Sequence, residues 1–272
     1  MADAKLSKEQ TERYARNILL SEVGEQGQAR LLASSALVVG AGGLGSPALL
    51  YLAAAGVGRL GIADGDVLEP SNLQRQIIHR TADLGKVKAL SARQAIRALN
   101  PDCTVDALPR RLTAENVRGT VRNYDVVLDC SDNFATRFMV ADAARLEGKP
   151  LVSAAVLRFD GQLLTVLPGE GNPCYRCFVA EPPPADAMPG SHQAGILGAV
   201  AGVMGSLQAT EAIKVLLRLP DLLSHRLLVY DGLRCRFATV KRQPSPACPL
   251  CGPNPRMTKL DVTDRNKCGE KD

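Results

Sequence analysis

Three groups of residues in this 272-residue chain could do chemistry by their type and spacing. The first is Cys174-x-x-Cys177 with Cys248-x-x-Cys251, two knuckles separated by seventy residues. Four thiolates in that arrangement make a closed tetrahedral zinc sphere with no position left for water, which points to a structural metal. Redox pairs and plain buried thiols are the alternatives. Two redox pairs in one chain without a thioredoxin-like pattern are uncommon.

The second group is Gly40-Ala41-Gly42-Gly43-Leu44-Gly45, a G-x-G-x-x-G run after an apolar stretch and at the opening of a helical one. Glycines there allow a tight turn and let phosphates approach backbone amides at the positive end of a helix. Asp64, nineteen residues beyond Gly45, stands where a carboxylate accepts from ribose hydroxyls. A glycine turn that merely packs helix on strand is the simpler reading, and a nicotinamide dehydrogenase is a rival functional one.

The third group bears on that choice. Ser71-Asn72-Leu73-Gln74-Arg75-Gln76, then Lys88, then Asp132-Asn133 supply cations and a carboxylate beyond the glycine turn. A triphosphate with magnesium needs that inventory, whereas a dinucleotide's two phosphates are met largely by backbone amides. Singly, Arg75 reads as a surface charge, Lys88 as an exposed helix face and Asp132 as a helix N-cap. Together they favour ATP and magnesium.

The elements that must position these groups follow from periodicity. Ser7 and Gln10 form a capping-box pattern ahead of a helix running to about Leu20, and a short helix over 26–32 follows. Strands are predicted at 36–39, 60–64, 103–108 and 125–128, alternating with helices at 44–55, 86–99 and 133–147, the pattern of a parallel doubly wound α/β sheet. Beyond Leu151 the texture changes. Segments 151–156 and 162–167 flank Phe159-Asp160-Gly161, and segments 227–230 and 235–240 flank Asp231-Gly232, so antiparallel hairpins are expected to extend the sheet. A long helix from Ala194 to Arg218 is expected to pack on it. The Pro- and Gly-rich stretch 181–193 reads as a surface loop. Cys103, Cys130 and Cys235 read as small buried residues on strands, and Cys268 as an exposed thiol.

These elements compose a single domain over 1–272: a helical arm (1–33), a nucleotide-binding part (34–150), an antiparallel sheet with crossover loop and zinc part (151–252), and a flexible tail (253–272). A net charge of +5 with no dense basic run gives no support to nucleic-acid or membrane-surface binding. The apolar run Ala194–Leu207 is about fourteen residues, short of the roughly 20 that span a bilayer. The polar N-terminus lacks the apolar core of a secretory signal, so cytoplasm is the expected compartment and reduced thiols the expected state.

Taken in order, Arg13-Tyr14-Ala15-Arg16, the glycine turn, Asp64-Gly65-Asp66, Ser71 to Arg75, Leu128-Asp129-Cys130-Ser131-Asp132-Asn133, Cys174-Tyr175-Arg176-Cys177, Gly205-Ser206-Leu207-Gln208 and Cys248-Pro249-Leu250-Cys251 resemble the MoeB/ThiF group of adenylating enzymes, relatives of the ubiquitin-activating enzymes. The resemblance covers nearly the whole chain and implies a Rossmann-like mixed sheet. It places Gly43 and Asp64 on ATP phosphate and ribose, Asn72, Arg75 and Lys88 around the phosphates, and Asp132 on magnesium. It also implies a homodimer in which Arg16 enters the neighbouring subunit's site. The implied partner is the C-terminal Gly-Gly tail of a ubiquitin-like sulfur carrier similar to MoaD or ThiS, adenylated before thiocarboxylation. Where many members carry a loop cysteine, this chain has Ser191. Serine is a far poorer nucleophile, so no covalent link through the loop is expected, and His192 beside it makes no recognisable catalytic pair. Longer members carry a rhodanese-like domain; here sulfur is expected from a donor or sulfurtransferase in trans.

Overall fold

The computed structural model describes residues 6–181 and 194–260. Three short helices, α1 (Lys8–Arg13), α2 (Ala15–Ile18) and α3 (Gly24–Leu32), lead into β1 (Ser35–Val39). The elements α4 (Gly45–Ala54), β2 (Arg59–Ala63), α5 (Lys88–Leu99), β3 (Thr104–Leu108), α6 (Val117–Val121), β4 (Val126–Asp129) and α7 (Phe134–Leu146) follow. The chain then forms β5 (Leu151–Leu157), β6 (Asp160–Val166), α8 (Gly198–Leu217), β7 (Arg226–Asp231) and β8 (Arg236–Lys241). All eight strands join one sheet in the order β3-β2-β1-β4-β5-β6-β7-β8. Strands β1 to β5 run parallel, and β5 through β8 pair antiparallel. The mixed sheet read from the sequence is therefore present.

Successive β1 residues feed opposite faces, as the period of two requires. Ala36 and Val38 join a core with Leu49, Leu52, Ile62, Ile96 and Met204 under α4, α5 and α8. Leu37 and Val39 join the other core, with Val127, Phe138, Leu151, Tyr175 and Leu250. Burial on both faces explains why β1 and β4 read as unbroken apolar runs. Helix α8 has the length and apolar composition to cross a membrane, but it packs on α4, β4, β5 and β6, and more than half of its most apolar stretch is buried inside the fold. It is the core helix. It starts at Gly198 rather than Ala194, because Gly195 adopts a φ of +76° that breaks the helical path.

Three other expectations need correction, and one element was missed. The N-terminal helix, capped by Ser7 with Gln10 as expected, is interrupted at Tyr14. That side chain is 1% exposed, and its hydroxyl accepts from Asn100 Nδ2 (2.9 Å) and donates to Asp102 (3.3 Å), so tertiary contacts override local helix propensity. The first hairpin turns at Arg158-Phe159, one step earlier than expected, with Arg158 at a φ of +55°. Cys235 is exposed and lies in the turn between β7 and β8, not in a strand. Helix α6 was not anticipated; its five residues carry too little periodicity to register.

Parallel strands must be joined by crossovers, and here the chain winds one way from β1 to β2 and β3, then returns to β4 and β5 on the other side. The C-terminal ends of β1 and β4 therefore flank a topological switch point, where open α/β sheets bind ligands.

Candidate functional site: a glycine turn at the switch point and a four-cysteine cluster

The glycine turn leaves β1 at this switch point. Gly40 has a φ of +95°, and a Cβ there would stand 2.9 Å from the Cys130 carbonyl, so the turn is seated directly against the end of β4. Gly45 opens α4, and a Cβ there would meet the Gly40 carbonyl at 1.9 Å. A backbone carbonyl cannot yield as a side chain can. Gly45→Ala is expected to cost about 3 kcal/mol, the upper part of the overpacking range. Gly42→Ala, whose Cβ would meet nothing nearer than Gln76 Nε2 at 3.6 Å, is expected to fold normally. Thermal melts of the two variants separate these outcomes. No side chain caps the first turn of α4; Ser46 N donates to the Gly42 carbonyl (2.9 Å) and Pro47 has no N–H, so the Gly45 amide and the positive helix end are what the turn offers at the rim of the sheet.

Asp64 lies at the end of β2 and accepts from Ala41 N (2.8 Å) and Asp66 N (2.9 Å). Burial raises its carboxyl above the ordinary value, while those amides and the Lys88 ammonium pull it back. Lys88 is 7% exposed at the first position of α5, with Nζ 3.3 Å from Asp66 Oδ2; Arg111 stands 3.4 Å from the other Asp66 oxygen. A buried cation at the positive end of a helix is unfavourable unless an anion answers it. Lys88 is therefore not the exposed helix face of the simpler reading.

Arg75 lays its stem over Gly43, with Cγ 3.4 Å from where a Cβ would stand, and its guanidinium donates to the Ser71 carbonyl (3.1 Å). Asn72 is buried and structural: its Oδ1 accepts from Glu69 N, and its carbonyl accepts from Arg75 N and Gln76 N. The Gln74 carbonyl abuts Gly198, where a Cβ would come within 2.4 Å, so the start of α8 fixes the Ser71–Gln76 segment. Ser71 is exposed and Leu73 half-buried along the same turn.

On the β4 side Asp132 is exposed, and its carboxylate accepts from Asn133 Nδ2 at 3.5 Å. The N-cap of α7 is Asn133, which accepts from Thr136 N (2.9 Å), so the reading of Asp132 as the cap does not hold. Arg16 is not brought to this site within one chain. Its neighbours Tyr14 and Asn17 attach to Asn100 and to the Ala55 carbonyl at the C-terminal ends of α5 and α4. The ten residues of α4 put that end about 15 Å from the glycine turn.

Several residues around the site, some of them quoted only within a longer motif, were given no individual role from the sequence. Asp129 accepts from Ser131 N and Ser153 Oγ and lies 3.2 Å from Arg137 Nε. Arg137 donates to the Ser131 and Ala154 carbonyls, and Gln208 donates to those of Asp129 and Val152. This buried network holds the Cys130–Asn133 loop from three elements. Gln76 is 4% exposed beside Gly42, and its Oε1 has no hydrogen-bond partner among the described residues. His79 bonds the Ala41 carbonyl. Burial lowers His79 below its ordinary 6.5, against the upward pull of the Ala41 carbonyl, Asp64 and Asp83, with Lys88 adding to the depression. The unfolded chain then takes up this proton at a higher pH than the folded one. Stability is expected to fall as pH drops below 6.5, and His79→Gln to lose part of that acid sensitivity in denaturation curves across pH.

The four cysteines converge. The Sγ atoms of Cys174, Cys177, Cys248 and Cys251 all lie within 4.8 Å of one another. Sulfur–sulfur separations are 3.9 Å (174–177), 3.5 Å (174–248) and 3.3 Å (177–251). A tetrahedral site with zinc–sulfur bonds of about 2.3 Å requires sulfur atoms roughly 3.8 Å apart, so the donor set fits zinc. Burial and repulsion from its neighbours push the Cys174 thiol up, and burial takes Cys251 to about 11. Burial opposes ionisation of Cys248 too, but the N–H groups of Cys251 and Leu250 bring it below its ordinary value. The first knuckle is anchored to α7: Arg176 pairs with Asp142 (2.8 Å), and Tyr175 meets Phe138 edge-on at 5.2 Å. Ser191, His192 and Cys268 lie outside the described residues.

A doubly wound mixed sheet with a glycine turn, acids and cations at its switch point, and four converging thiols beside it, places the chain among α/β proteins of Rossmann-like fold. The chain belongs to the ThiF family, whose model matches residues 14–250. It is 48% identical over 258 residues to the sulfur carrier protein adenylyltransferase of Thermus thermophilus, covering 93% of this chain and 95% of that one. It is also 48% identical to the SAMP-activating enzyme E1 of Haloferax volcanii, covering 89% of each. Against the adenylyltransferase and sulfurtransferase MOCS3 of Bos taurus the identity is 50%, spanning 94% of this chain and 56% of that protein. Among solved structures, E. coli MccB with ATP superposes with a TM-score of 0.77 at 21% identity, over 88% of this chain and 74% of that one, a likeness of fold.

Proposed function

We propose that this chain binds ATP at the glycine turn and adenylates the C-terminal Gly-Gly carboxylate of a ubiquitin-like sulfur-carrier protein. The observation that carries the reading is the placing of Arg75 against Gly43, Asp64 on the Ala41 amide and Lys88 on the neighbouring Asp66, with Asp132 in the loop that follows β4. The sulfur-carrier adenylyltransferase relative supports the choice of substrate.

The carrier's terminal carboxylate oxygen attacks the α-phosphorus of ATP. The new bond is carboxyl oxygen to phosphorus, the bond to the bridging oxygen breaks, and pyrophosphate leaves with that electron pair. The carboxylate is already ionised, so no base is required. What the protein must supply is position and compensation of charge, because two anions are brought together. The free amides of the glycine turn, Lys88 and Arg75 meet the phosphates, and Asp64 holds the ribose. Asp132 would hold magnesium, which neutralises phosphate charge when bound. Cys174, Cys177, Cys248 and Cys251 would hold zinc in a structural role. Arg16, far from its own site, fits a homodimer in which it completes the partner's.

Incubating the chain with ATP, magnesium and a Gly-Gly carrier tests this. Intact mass spectrometry is expected to show carrier carrying one adenylyl group, and hydroxylamine is expected to discharge it. Unmodified carrier under conditions where ATP is bound contradicts the reading.

A further inference from the structure

His79 is the buried titratable group that the chemistry above leaves without a task. Its Nε2 lies 2.9 Å from the Ala41 carbonyl and its Nδ1 2.9 Å from Ser91 Oγ, which in turn lies 3.1 Å from Asp83 Oδ2. Lys86 secures Asp83 from the other side at 2.8 Å. The relay thus runs from the loop after β2, through α5, to the middle of the glycine turn.

Proton inventory fixes one end of it. A carbonyl has no proton to give, so the contact to Ala41 requires Nε2–H as donor. The other ring nitrogen either accepts the Ser91 hydroxyl proton or, when the ring is charged, donates to Ser91 while Ser91 donates to Asp83. Both states keep the hold on Ala41. The Ala41 N–H is committed as well, to Asp64 at 2.8 Å. The Ala41–Gly42 peptide is planar and trans, so its carbonyl and the Gly42 N–H point in opposite directions. Drawing the carbonyl toward His79 aims the Gly42 N–H away from it, and that N–H has no partner among the described residues.

We propose that His79 is a positioning residue for nucleotide binding: by holding the Ala41 carbonyl it orients the Gly42 amide toward the phosphates, and Ser91 holds the ring in place. This rests on the nucleotide reading of the glycine turn. It assigns work to a histidine that touches no substrate, and it explains why a buried ring is directed at a backbone carbonyl rather than replaced by an apolar side chain.

Calorimetric ATP titration without carrier tests it, on the unsubstituted chain, His79→Leu, His79→Gln and Ser91→Ala, each corrected for folded fraction. Leucine removes the donor and leaves a buried carbonyl unpaired, so ATP affinity is expected to fall about tenfold. Glutamine, whose amide reaches the Nε2 position, is expected to recover most of it. Ser91→Ala, which keeps the ring but loosens it, is expected to fall between. In pyrophosphate exchange the leucine loss is expected in KM for ATP with kcat nearly unchanged. Nitrogen-15 NMR of histidine-labelled protein is expected to show an Nε2–H tautomer that vanishes in His79→Gln, a readout that survives even if the leucine variant fails to fold. Equal ATP affinity for leucine and unsubstituted chains, no difference between leucine and glutamine, or an Nδ1–H tautomer each overturns the assignment. Absence of ATP binding by the unsubstituted chain overturns the nucleotide reading itself, and His79's role with it.

Discussion

Lys88→Met is expected to slow formation of the acyl-adenylate by on the order of 10²-fold or more while leaving the fold intact. Methionine preserves most of the buried stem's packing, and the charge it removes stands at the positive end of α5, where it does not favour the folded state. What is lost is a cation held within 3.3 Å of Asp66, at a rim where an incoming triphosphate and carboxylate repel each other. Arg111 is the control. Its guanidinium also reaches Asp66, but its side chain is 83% exposed, and solvent screens it. Arg111→Ala is expected to change the rate less than about threefold, in keeping with a screened surface charge. Single-turnover measurements at saturating ATP distinguish the two. Equal rates for Lys88→Met and Arg111→Ala would remove Lys88 from the reacting site.

Removing zinc is expected to have the largest effect on stability. A four-thiolate site contributes about 10 kcal/mol or more of apparent binding free energy, comparable with the whole stability of an ordinary domain. Here it would join Cys248 and Cys251 to a knuckle already fixed to α7 by the Arg176–Asp142 pair. Buried Arg242 ties the same lobe to the sheet, donating to the Cys174 and Thr165 carbonyls. Purified chain is expected to carry one zinc per subunit. Cys248→Ser, or prolonged chelation, is expected to remove it and lower Tm by more than about 10 °C, several kcal/mol at this chain length. Cys235→Ser, at an exposed turn away from the cluster, is expected to change neither zinc content nor Tm. A chain that holds no zinc, or melts unchanged after chelation, contradicts the assignment.

These two sites were the most legible parts of the sequence, for a common reason. The glycine turn and the cysteine pairs are local motifs whose geometry is set within a few residues, so spacing alone predicts them. Asp64 followed because the end of β2 lies beside the end of β1 in a doubly wound sheet. The supporting shell was hidden because its members are distant in sequence. His79 meets Ala41 across 38 residues, Ser153 meets Asp129 across 24, and Gln208 meets Asp129 across 79. None leaves a period or a spacing. The quoted Gly205 to Gln208 run marked Gln208 as part of a resemblance, but not as the donor that fixes β4 and β5. Cys235 was misplaced because Asp231-Gly232 signals where a turn starts and not how long it is. Four residues, Gly232 to Cys235, separate the paired Asp231 and Arg236. Arg16 shows the same limit at larger scale, since its proposed site is on another copy of the chain.

The most direct measurement is ATP–pyrophosphate exchange by the purified chain with a panel of Gly-Gly carrier proteins, each also tested with its last glycine deleted. Exchange with an intact carrier, lost on deletion, is the expected result and would establish carboxylate adenylation while naming the partner. No exchange with any carrier, despite bound ATP and zinc, would contradict carrier activation as the chain's function.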